Sequence, residues 1–112
     1  MSDDAEPSPD DILYVATSYH DGTATIVLVG EFDMSVVDHF WAAASEALGT
    51  PSRSITVEAR GLTFIDSWGV AALIRAREAA DEAGVVFHVR EPSPMLRRIA
   101  EVMGVKDLLA AE

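Results

Sequence analysis

Apolar residues recur along this chain in two rhythms, and the places where one gives way to the other set out the fold. Ile12 to Tyr19 (ILYVATSY) is rich in β-branched and aromatic residues and predicts a first strand. His20-Asp21-Gly22 follows, and an Asp-Gly pair is a hairpin turn signal. Thr23 to Gly30 (TATIVLVG) predicts a second strand, antiparallel to the first. Its run Ile26-Val27-Leu28-Val29 is unbroken, the pattern of a strand covered on both faces.

From Ser35 the period lengthens. Val37, Phe40, Trp41, Ala44 and Leu48 fall on one helical stripe, with Ser35 as the expected cap, Asp38 three residues on, and Gly49 and Pro51 as the stop. Ser54 to Ala59 (SITVEA) predicts a third strand, and Gly61 to Ile65 reads as the loop that leaves it. A second helix is expected to start near Asp66 or Ser67, to bury Val70, Leu73, Ile74, Ala76, Ala80 and Ala83, and to end at Gly84. Val85 to Val89 (VVFHV) predicts a fourth strand. Ser93-Pro94 then places a cap and a first-turn proline before a helix with the stripe Leu96, Ile99, Ala100 and Met103, stopped by Gly104. Val105 to Ala110 is left as a last short element that packs Leu108 and Leu109.

The predicted order is β-β-α-β-α-β-α. That is an α/β layered domain with a four-stranded mixed sheet and three to four helices. Helical crossovers make strands two, three and four parallel. The loops after them, at residues 32–34, 61–66 and 91–93, then share one end of the sheet, where the sites of open α/β sheets gather. This step brings Asp33 and Ser67 together, although 34 positions separate them.

Composition narrows the classes of function. The 112 residues suit one domain, and half of them are apolar, enough for a core without metals or disulfides. There is no cysteine, so thiolate metal sites and disulfides are excluded. Nineteen acidic against eight basic residues give a net charge of -11, which repels nucleic acid and anionic membranes. No apolar run approaches the ~20 residues of a membrane span. Residues 1–10 are acidic, carry Pro7 and Pro9, and lack the basic end and apolar stretch of a signal peptide. They read as a disordered acidic leader before a single domain over residues 11–112, and the expected location is cytoplasmic.

The chemistry concentrates in Asp66-Ser67-Trp68-Gly69. Asp66 or Ser67 at a helix start satisfies the free N–H groups of the first turn. A serine there also presents its hydroxyl, and a phosphate on it adds about -1.5 to -2 charge. The helix N-terminus favours that charge and Asp66 opposes it. His20, His39 and His88 have no metal-binding spacing, so no metal is expected. Gly-x-Ser-x-Gly, P-loop and Gly-x-Gly-x-x-Gly patterns are missing. Ser67 has no evident base or oxyanion partner, so an enzyme is not expected, nor is a cofactor. Arg75, Arg77, Arg97 and Arg98 read as solvated.

Gly30-Glu31-Phe32-Asp33 after the second strand, with Phe64-Ile65-Asp66-Ser67-Trp68-Gly69 before the second helix, resembles the STAS domain of anti-sigma factor antagonists and sulfate transporter tails. Ser93-Pro94 to Leu96 and Met103-Gly104-Val105 also match its pattern, so the resemblance runs from about Ile12 to Leu109. It implies an antagonist that binds an anti-sigma factor, often itself a serine kinase, and so releases a sigma factor. Phosphorylation by that kinase ends the interaction and a phosphatase restores it. The resemblance puts the phospho-acceptor at Ser67 and partner binding at Asp33, Asp66, Ser67, Trp68 and Gly69, with Asp66 shaping the loop and helix start. It leaves room for a weak homodimer. Trp68 departs from the small residue usual there. An indole beside the acceptor crowds a kinase, anchors an interface, or covers a neighbouring loop. The alternative role is a STAS accessory subunit of a membrane transport or other signalling complex.

Overall fold

The computed structural model describes residues 12–109; the expected leader at residues 1–10 and the end of the last expected element at Ala110 lie outside them. The chain forms β1 (Leu13–His20), β2 (Thr23–Phe32), α1 (Val37–Gly49), β3 (Ser54–Ile65), α2 (Ser67–Glu82), β4 (Val86–Arg90) and α3 (Pro94–Val102). Short 3-10 turns at Met34–Val36 and Lys106–Leu109 precede α1 and follow α3. The expected element order is therefore observed. The sheet order is β1-β2-β3-β4, with β1 antiparallel to β2 and the other pairs parallel.

The hairpin forms where Asp-Gly predicts it. Asp21 and Gly22 both take positive φ, 52° and 81°, the conformation whose twist matches the flanking strands. At the far end, Ser93 caps α3. Its buried hydroxyl accepts the Leu96 N–H at 3.2 Å, and Pro94 opens the first turn, where its missing N–H costs nothing.

Burial alternates along the strands. Ala24, Ile26 and Leu28 of β2 and Ile55, Val57 and Ala59 of β3 are fully buried, and the residues between them are not. They join Phe40, Ala44 and Ala47 of α1, Val70, Leu73, Ala76 and Ala80 of α2, and Leu96 of α3 in one core cluster. The described helices thus cover a single face. This corrects the expectation that β2 is covered on both: Val27 is half-buried and Val29 exposed. A β-branched residue suits any pleated surface, so an unbroken aliphatic run does not by itself report two-sided burial.

The third strand is also longer than expected. It runs past Ala59 to Ile65, so the stretch read as a loop from Gly61 is sheet. Two register irregularities against β2, between Val27 and Val29 and between Gly30 and Glu31, each insert one extra residue into β3. Such bulges break the two-residue alternation that makes a strand visible in sequence. On the helices, Ala47 replaces Leu48 and Trp41 among the fully buried residues of α1. Ala83 and Met103, expected inside, are exposed.

Candidate functional site

The site is built by the last paired residues of two parallel strands. Phe32 ends β2 and Ile65 ends β3; the two are register partners and both are fully buried. The residue after each is an aspartate. Asp33 and Asp66 adopt almost the same extended backbone, φ -118° ψ -173° and φ -112° ψ -172°. Each then starts a helical turn, so the two starts lie side by side at one rim of the sheet.

Each aspartate caps its own turn. Asp66 Oδ1 accepts the Gly69 N–H at 3.0 Å, and the Asp66 carbonyl accepts the Val70 N–H at 3.1 Å. Asp33 Oδ1 accepts both the backbone N–H of Ser35 at 2.9 Å and the Ser35 hydroxyl at 2.6 Å. The cap expected at Ser35 is therefore at Asp33, and α1 itself starts from Val36 without a side-chain cap. The intervening 3-10 turn moves the first free N–H groups two residues upstream, which explains the displacement.

The two turns are tied together. Asp66 donates its N–H to the Phe32 carbonyl at 3.3 Å. Gly69 is buried against that same carbonyl: a Cβ placed there would lie 2.7 Å from Phe32 O and 2.7 Å from Ile65 Cγ1. Glycine is the residue that lets α2 approach this closely. Gly69, expected among the partner-binding residues, is buried at this contact.

Ser67 opens α2 and is exposed; among the described residues no hydrogen bond holds its hydroxyl. Next to it Trp68 is 57% exposed, and Met34, which follows Asp33 in the neighbouring turn, is 60% exposed. The indole of Trp68 meets no other ring and no cation among the described residues, and more than half of the residue is exposed. Met34 is a site residue that the sequence does not announce, because a lone methionine in a polar turn carries no periodic signal. Two arginines read as solvated have partners: Arg75 Cζ lies 4.3 Å above the ring of Trp41, and Arg77 meets Asp107 at 3.3 Å.

The rim thus carries an exposed hydroxyl on Ser67, the capping carboxylates of Asp33 and Asp66, and the exposed apolar side chains of Met34 and Trp68. Ion pairs stand elsewhere, Arg60–Glu91 and Arg90–Glu58 on the sheet and Arg77–Asp107 beside α2, and His20 meets Asp21 at the hairpin. Among the described residues no cluster of three His, Asp or Glu could hold a metal ion, and no helix is long and apolar enough to cross a membrane.

Comparison with known proteins agrees with this geometry. The backbone is similar to that of the anti-sigma factor antagonist SpoIIAA of Bacillus in its unphosphorylated form, at 24% identity and a TM-score of 0.74, covering 88% of this chain and 89% of that one. It is similar to an anti-sigma factor antagonist from Mycobacterium paratuberculosis, at 21% identity and a TM-score of 0.74, covering 91% and 86%. It is also similar to a sulfate transporter family protein from Wolinella succinogenes, at 20% identity and a TM-score of 0.68, covering 83% and 75%. No curated protein matches the chain in sequence. The family model described as "Mlab, STAS domain" matches residues 15–110, nearly all of the two-layer domain described above, and the chain therefore belongs to the STAS domain family.

Proposed function

We propose that this chain is an anti-sigma factor antagonist that works by binding rather than by turnover, and that phosphorylation of Ser67 is its switch. The observation that carries this reading is the exposed hydroxyl of Ser67 at the first position of α2, on the rim where the Asp33 turn also starts and next to the exposed Trp68. Its partner is an anti-sigma factor or serine kinase of the same pathway, and a phosphatase resets the cycle.

Neutral Ser67 lets a partner close over Met34 and Trp68, with Asp33 and Asp66 already occupied as helix caps. Exposed Trp is the residue type most enriched among interface hot spots. A phosphate on Ser67 brings about -1.5 to -2 charge into that contact. The α2 N-terminus stabilises it only in part, at about 0.3–1 kcal/mol, and the capping carboxylate of Asp66, the preceding residue, opposes it. The fold tolerates the added charge at an exposed position, and a closed interface does not. An unpaired charge at an interface costs about 2 kcal/mol or more, roughly thirtyfold in affinity.

The test is calorimetry against the kinase-type anti-sigma factor captured with this chain from its native cell. Ser67→Ala binds as the wild type does and takes no phosphate; Ser67→Asp binds at least ~30-fold more weakly. Equal affinity of the Asp variant removes the switch. A second reading, an accessory subunit of a membrane transport complex, draws support from the transporter-type structural neighbour. Under it, the same rim docks on a transport ATPase, and co-purification with a permease and an ATPase in place of a kinase selects it.

A further inference from the structure

β1 is an edge strand that nothing blunts. From Leu13 to Tyr19 it carries no charged residue and no proline, and its register with β2 runs unbroken from Leu13 to His20. The opposite edge differs: β4 is short, ends in the paired Arg90, and packs against the Lys106–Leu109 turn. Glu31 donates its N–H to the Ile12 carbonyl at 2.8 Å, and the shared register carries that bonded pairing on to Tyr14, Ala16 and Ser18. In an antiparallel ladder the residues between bonded pairs turn their N–H and C=O away from the partner strand. Val15, Thr17 and Tyr19 are those residues. Their side chains lie on the helix-covered face, opposite buried Leu28, Ile26 and Ala24.

A groove of about 330 Å³ runs beside this edge, with Val15, Thr17 and Tyr19 as one wall. The other wall is α1, with His39 at one end, the methyl groups of Ala42 and Ala43 in the middle, and Glu46 at the far end. Among the described residues the Glu46 carboxylate joins no ion pair.

We infer that this edge and groove bind an extended segment of another protein, added antiparallel to β1 as an outer strand. Its small apolar side chains lie over Val15 and Ala43, and a lysine or arginine meets Glu46. Each requirement has its own observation. Outward N–H and C=O groups on alternate residues are complemented by a strand. Every second side chain of such a strand then enters the groove. Charge decides between occupants. A chain of net charge -11 favours a basic visitor over its own copy. Residues 1–10 would bring Asp3, Asp4, Glu6 and Asp10 to Glu46, and Pro7 and Pro9 have no N–H to donate. The groove shares no residue with the Ser67 rim, so its occupancy does not depend on phosphorylation there.

The probe is a heptapeptide, capped at both ends, with lysine, valine and valine at its second, fourth and sixth positions and threonine elsewhere. Antiparallel pairing seats the lysine by Tyr19 and Glu46 and the valines by Thr17 and Val15. It is titrated into the nitrogen-15-labelled full chain and followed by amide chemical shifts. The expected dissociation constant is on the order of 0.1 mM. The amides of Val15, Thr17 and Tyr19 shift and exchange more slowly with solvent, and Ser67→Asp binds the peptide equally well. N-methylation of the two valines, which removes two donors to the edge, weakens binding at least ~10-fold. Glu46→Lys, at an exposed helix position, reverses the preference between the lysine peptide and one with glutamate in its place. No shift at about 1 mM peptide overturns the inference, as does equal binding of the N-methylated peptide. Shifts confined to Ser67 and Trp68 overturn it too, because the contact is then at the rim. Shifts in β1 that follow the protein's own concentration without peptide give the edge to a second copy and overturn it equally.

Discussion

Replacing Gly69 by alanine tests whether α2 is seated on the end of β2, the contact that sets Ser67 beside Asp33. In a helix the change is ordinarily favourable, by up to about 1 kcal/mol. Here the new methyl would sit 2.7 Å from the Phe32 carbonyl oxygen and 2.7 Å from Ile65 Cγ1. An ordinary carbon contact begins near 3.4 Å, so something must give by about 0.7 Å. The Phe32 carbonyl is held, because it accepts the Asp66 N–H at 3.3 Å. Ile65 is held as well, being fully buried beside Phe32. Overpacking of this kind costs about 1–3 kcal/mol and wins over the propensity gain. The expected net loss is about 1 kcal/mol, a fall in Tm of roughly 4–8 °C for a domain of this size. Gly49→Ala is the control, since nothing lies within 4 Å of a Cβ there. It should be neutral or stabilise by a few tenths to about 1 kcal/mol. Thermal and urea unfolding followed by circular dichroism read both. If Gly69→Ala melts at or above the wild-type temperature, the first turn of α2 does not press on β2, and the geometry argued for the rim is wrong.

Other substitutions separate fold from function. Asp66→Ala removes the carboxylate that accepts the Gly69 N–H and should cost about 0.5–2 kcal/mol by urea unfolding, with Asp66→Asn recovering most of it. Ser93→Ala leaves the Leu96 N–H without its acceptor at a site that is 4% exposed; the loss should be about 1–2 kcal/mol, and an unchanged urea midpoint would contradict the capping role. Trp68→Ala, at an exposed indole, should stay within about 0.5 kcal/mol in stability. The same variant should lose about 2 kcal/mol or more of partner affinity by calorimetry.

The parts of the fold written in short-range chemistry were legible, and those written in register were not. Asp21-Gly22 announces its turn because few other pairs accept positive φ twice running. Ser93-Pro94 announces α3 because cap and proline act within four residues. Parallel strands two and three, inferred from the intervening helix, end side by side at Phe32 and Ile65, the rim on which Asp33 and Ser67 were expected to meet. The strand character of Gly61 to Ile65 was hidden by two bulges, which shift the inward-facing positions by one residue each. One-sided burial of β2 was hidden because Val27 and Val29 are apolar on the open side too. At the rim, Asp33 and Ser35 both have capping side chains, and sequence alone does not say which is used; the 3-10 turn before α1 decides it. Burial of Gly69 depends on a backbone carbonyl 37 positions away, Phe32 O, and no local pattern encodes such an approach.

The claim on which the functional account depends is that Ser67 is the residue modified when the partner is released. Phosphopeptide mapping by mass spectrometry, on protein incubated with ATP and the kinase-type anti-sigma factor captured with it from the native cell, measures this most directly. The account predicts one phosphate, on Ser67, and none on the Ser67→Ala variant. Phosphate found only on another residue, or partner release with Ser67 unmodified, would contradict it.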